Sequence, residues 1–76
     1  MKKLLEILNS VHGEIDYENE ERLVDDSILD SFDIISIIAE VNDAYDIEIS
    51  ADDISPENFN SAKALYSLIL KYQEAR

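Results

Sequence analysis

Chain breakers are almost absent: one glycine and one proline punctuate 76 residues. A many-stranded β fold needs frequent turns, and these two residue types supply many of them. Their scarcity argues against such a fold. Aliphatic residues recurring three and four apart argue instead for an all-α chain. A chain this short is expected to form one domain, residues 1–76, burying only about 60% of its unfolded surface. Its stability should be marginal. With no cysteine, neither a disulfide nor a thiolate metal site can brace the core.

The periodicity predicts four helices, three longer and one short. Lys3 to about Val11 forms the first, with Leu4, Leu8 and Val11 on one face and Leu5 and Ile7 beside it. His12-Gly13 fits its end, glycine being the usual residue just past a helix. Residues 14–30 form a long acidic connection that Ile15, Tyr17, Leu23, Val24, Ile28 and Leu29 pin to the core. Connections of this length in small domains are often functional. Ser31 to about Tyr45 is the clearest helix, capped by Asp30 or Ser31, with Asp33 against the positive end of its dipole. Ile47-Glu48-Ile49 is an extended link. Ser50 or Asp52 then opens a single helical turn limited by Pro56. Ser61 caps a last helix from Ala62 to about Gln73, with a core stripe of Leu65, Leu68, Ile69 and Tyr72. Lys71 and Arg76 suit its carboxyl end.

Charge is lopsided. Eighteen acids against six bases give a net charge of −12, and between Glu14 and Glu57 sixteen acids face only Arg22. This balance repels nucleic acid and anionic membrane, and attracts partners with basic docking surfaces. No apolar run approaches the roughly 20 residues that span a bilayer. Lys2 and Lys3 are followed by Glu6 and Asn9, which does not read as a secretory signal. A cytoplasmic monomer is expected.

Advancing about 100° per residue from Ser31 separates two apolar patches on the second helix. Ile34, Ile37, Ile38, Val41 and Tyr45 fall within one arc and form its core face. Phe32, Ile35 and Ala39 lie outside that arc, on the side of Ser31, bordered by Ser36, Glu40 and Asp43. An apolar patch ringed by acids and adjoining a helix-start serine suits docking of a partner. Catalysis by the chain itself is a poor fit. Ser31 has no neighbouring histidine or lysine in sequence, and a serine without a base is a weak nucleophile. His12, the lone histidine, reads as a helix-end residue. Asp25-Asp26 and Asp52-Asp53 lack the spacing and central glycine of a calcium loop.

Leu29-Asp30-Ser31-Phe32-Asp33 resembles the attachment motif of acyl carrier proteins, usually Asp-Ser-Leu. Phe32 departs from the leucine but keeps a large apolar side chain. Tyr45-Asp46-Ile47-Glu48-Ile49 is similar to the family's Phe-Asp-x-x-Ile segment. The resemblance covers nearly the whole chain: short helix, acidic loop, motif, Ile-rich helix, short helix, last helix. It implies a small four-helix acyl-carrier-like bundle and a covalent 4'-phosphopantetheine arm, drawn from coenzyme A and attached at Ser31. By the same resemblance, Asp30 and Ser31 are what a phosphopantetheinyl transferase reads. Asp33, Glu40 and Asp43 would meet basic residues on the enzymes that load and transfer acyl or aminoacyl groups.

Two alternatives stand beside the acyl carrier. Leu29-Asp30-Ser31-Phe32 looks as much like D-alanyl carriers as like fatty-acid carriers, so a D-alanyl or peptidyl cargo is equally compatible. A non-carrier acidic adaptor would use the same charge and have no need of Ser31. Holo-protein formation separates these classes.

Overall fold

The computed structural model describes residues 1–75, and every regular element among them is helical. Three longer helices, α1 (Lys2–Val11), α2 (Ser31–Tyr45) and α4 (Ala62–Glu74), surround the core; α3 (Pro56–Phe59) is a single turn. This is the small four-helix arrangement that the periodicity predicts. Arg76, expected to favour the end of α4, lies outside the described residues.

The core is wholly aliphatic and aromatic. Leu4 and Leu8 of α1, Ile37 and Val41 of α2, and Ile69 of α4 are 0–1% exposed. Leu65, Leu68 and Phe59 close it from α3 and α4, and among the described residues no charged or polar one is buried with them. Ile34, Ile38 and Tyr45 flank the core face of α2 half-buried rather than fully covered.

α1 and α2 run antiparallel, because polar side chains of α1 reach both ends of α2. Lys3 Nζ donates to the Ala44 carbonyl at 2.8 Å, and His12 Nδ1 meets Asp33 Oδ2 at 2.9 Å. α2 has no basic residue in its own last turn. Lys3 supplies from a neighbouring helix the positive charge that suits that end of the dipole. Its ammonium also stands 5.0 Å from the centre of the Tyr45 ring.

The long connection is held by three buried side chains, Tyr17, Leu23 and Leu29. Ile15, Val24 and Ile28 pack against the core only in part. Asn60, between α3 and α4, clamps its middle. The Asn60 Oδ1 accepts the amides of Val24 and Asp25, each at 3.0 Å, and its carbonyl accepts the Leu23 amide at 2.9 Å. Backbone amides left unpaired on folding are costly, and a single asparagine supplies acceptors for three of them in this loop.

α1 ends where the sequence predicts, at Val11 with His12 as C-cap and Gly13 just past it; the left-handed residue there is Glu14, with φ 66°. The His12 amide donates to the Leu8 carbonyl, and the Tyr17 hydroxyl lies within hydrogen-bonding reach of the carbonyls of Leu8 and His12. A side chain from the loop thus helps to satisfy the last carbonyls of the helix. One local expectation is corrected: Pro56 does not limit the turn that Ser50 opens. That turn is a separate 3₁₀ turn, Ala51–Asp53, and Pro56 stands in the first turn of α3. Proline suits a first turn because its missing N–H would have no partner there anyway.

Candidate functional site

The mouth of α2 is built by a reciprocal pair of aspartates. Asp30, the N-cap, is in extended backbone and its Oδ1 accepts the Asp33 amide at 2.9 Å. The Asp33 Oδ2 reaches back to the Asp30 amide at 3.3 Å, completing a capping box. Sequence reading left the cap open between Asp30 and Ser31. The aspartate takes it, and Ser31 becomes the first residue of the helix proper.

That division of roles leaves Ser31 available. Its side chain is exposed and its hydroxyl makes no hydrogen bond among the described residues. It stands at the positive end of a 15-residue helix, where a bound anion is favoured. No base adjoins it. His12, whose ring comes nearest this end of α2, is committed to Asp33.

Asp33 carries more than was expected of it. Its carboxylate is only 19% exposed and faces inward to His12 and the Asp30 amide. The hydrogen bond from His12 holds the Asp33 carboxyl below the usual aspartate range, with further help from the Asp30 amide. The capping box could have been read from the Asp-x-x-Asp spacing. The His12 contact could not, because 21 residues separate the partners.

The remaining expected docking residues lie on the outer side of α2. Phe32 is 81% exposed and Ile35 64% exposed, both high for large apolar side chains. Ser36, Ala39, Glu40 and Asp43 are exposed along the same helix, opposite the buried Ile37 and Val41. The structure therefore brings Ser31, Phe32, Ile35 and Ser36 to one surface within two turns. Asp33 is the member turned away from it.

No group of histidine, cysteine, aspartate or glutamate among the described residues is arranged to hold a metal ion. No described helix is long and apolar enough to cross a membrane.

No protein-family model matches the chain, and no solved structure matches it. A curated relative does. An acyl carrier protein of Buchnera aphidicola is 34% identical over 73 residues, which cover 93% of this chain and 91% of that protein.

Proposed function

The chain belongs to the acyl carrier protein family, and on that premise we propose that Ser31 carries a 4'-phosphopantetheine arm through which the protein presents an acyl group to partner enzymes. As a member of that family it is a non-catalytic carrier. The observation that carries the finer reading is the state of Ser31: exposed, first in its helix, with an unengaged hydroxyl beside a closed capping box.

The residues present fit that group. A phosphodiester on Ser31 would sit over the first amides of α2, at the end of the helix that favours negative charge. The Asp30 carboxylate is turned to the Asp33 amide and the Asp33 carboxylate to His12, which blunts their repulsion of a neighbouring phosphate. The arm supplies a thiol, on which the acyl group is held as a thioester. The chain's own part is attachment. The Ser31 hydroxyl oxygen forms a bond to the pantetheine-bearing phosphate of coenzyme A. The phosphoanhydride bond breaks and adenosine bisphosphate leaves. The hydroxyl proton goes to a base of the transferase, since the neighbouring Asp30 carboxylate is engaged by the Asp33 amide and the His12 ring by Asp33.

Phe32, Ile35 and Ala39 form the apolar part of the docking surface, with Ser36 at its edge. Glu40 and Asp43 border it and steer partners with basic faces. The partners are a phosphopantetheinyl transferase and the enzymes that load and transfer the acyl group, met in the cytoplasm by a monomeric carrier.

Incubation with coenzyme A and a broad-specificity phosphopantetheinyl transferase, followed by intact mass measurement, tests the attachment. The wild-type chain is expected to gain one phosphopantetheine and Ser31→Ala none. Modification of Ser31→Ala would move the site elsewhere. A wild-type chain that gains nothing would favour the acidic adaptor.

A further inference from the structure

Two residues far apart in sequence share the work of setting Ser31 free. His12 is held at its backbone by the Tyr17 hydroxyl, which donates to the His12 carbonyl. Its ring is held by Asp33 at 2.9 Å. The Asp33 oxygen that meets the ring also accepts the Asp30 amide. His12 therefore selects the rotamer in which Asp33 closes the capping box. With the box closed, the Asp30 carboxylate is bound to the Asp33 amide. An Asp30 carboxylate released from that amide would be free to accept from the hydroxyl of the next residue.

We propose that His12 is a positioning residue for modification of Ser31: through Asp33 it keeps the capping box closed, the first turn of α2 ordered and the serine hydroxyl unengaged. This rests on the reading of Ser31 as the attachment site. His12 touches neither serine nor phosphate, so its effect passes through Asp33 alone. The pair is partly open to solvent, the His12 side chain 41% and the Asp33 side chain 19% exposed, and such contacts are weak. Its loss slows the reaction without abolishing it. The docking side chains Phe32 and Ile35 stand exposed and take no part in the His12–Asp33 contact, so recognition of the carrier is left intact.

The test is steady-state transfer from coenzyme A at varied concentrations of the full chain, with wild type, His12→Ala, His12→Asn and Ser31→Ala. His12→Ala is expected to lower kcat about twofold to fivefold, the range a surface pair can supply. KM for the carrier should stay within about twofold, because binding energy used equally in the ground and transition states is unchanged. His12→Asn should recover most of the loss, since its amide nitrogen can stand where Nδ1 stands. Amide hydrogen exchange gives a second readout. The Asp33 amide should exchange faster in His12→Ala while the Val41 amide, deep in α2, stays protected. Wild-type kcat in His12→Ala, failure of His12→Asn to rescue, or equal loss of protection at Val41 would each overturn the proposal. A wild-type chain that is not modified at Ser31 would instead overturn the reading beneath it.

Discussion

The Asp33 carboxylate shares one oxygen between the His12 ring and the Asp30 amide. Both contacts favour its charged form, and the hydrogen bond from His12 is the larger influence holding its proton affinity below the usual range. A carboxyl that ionises more readily folded than unfolded stabilises the fold at any pH above its unfolded value. That contribution is lost as pH falls through the folded value. Asp33→Asn keeps the shape of the side chain and removes the charge. The melting temperature of wild type should therefore exceed that of Asp33→Asn at neutral pH, and the gap should close on acidification below the ordinary aspartate range. Thermal unfolding of both chains by circular dichroism across pH checks this. A gap that is constant with pH would mean that the charge on Asp33 is not what closes the capping box. Asp33 also marks where local pattern stops being informative. Its spacing from Asp30 announces a cap, yet nothing near it in sequence announces His12. The same holds for Tyr17 closing α1 and Asn60 clamping the loop 35 and 36 residues away. These contacts are made by single side chains after the chain has folded, and they leave no periodicity to read.

At the scale of the element, α2 divides its side chains between inside and outside as its spacing predicts. Ile37 and Val41 are fully covered, while Phe32 and Ile35 stand in solvent. The wheel was legible because 3.6-residue periodicity decides which positions meet α1 before any partner is considered. Caps were legible for a similar reason: Ser61 Oγ accepts the Ala64 amide at 3.0 Å, a bond that depends only on local chain geometry. The end of α1 falls where His12-Gly13 predicts it, while the Tyr17 hydroxyl that helps to close it comes from outside the local pattern. Folding and docking should therefore separate along this one helix. Val41→Ala empties part of the core and should cost about 1–3 kcal/mol. Ile35→Arg and Glu40→Lys change exposed positions and should move stability by less than about 0.5 kcal/mol. Both should slow transfer by a cognate enzyme, and Glu40→Lys should do so most at low salt, because steering is screened by ions. Denaturant unfolding alongside transfer kinetics reads both effects. Unfolding of the domain by Ile35→Arg would show that this side chain belongs to the core.

Across the whole molecule, charge works against compaction. Eighteen acids and six bases are confined to one small fold, and sixteen of the acids lie between Glu14 and Glu57. The Arg22–Asp26 ion pair lies at the surface and offsets little of that repulsion, and the contact of His12 with Asp33 is a hydrogen bond. Lys3 is turned to a backbone carbonyl and an aromatic ring rather than to an acid. Folding brings the acids closer together than the extended chain holds them, so repulsion falls more heavily on the native state. Screening should therefore favour the fold. Raising ionic strength from about 0.01 M to about 0.15 M shortens the Debye length from roughly 30 Å to 8 Å, comparable with the spacing between surface charges on a domain this small. Magnesium should act more strongly than sodium at equal ionic strength, because a divalent ion can sit between neighbouring carboxylates. Relief of about 1 kcal/mol corresponds to a rise of roughly 4–8 °C in Tm for a domain of this size. Thermal unfolding at neutral pH across sodium chloride and magnesium chloride series measures it. A Tm that is flat or falls with salt would mean that local contacts such as the Arg22–Asp26 pair outweigh the net charge.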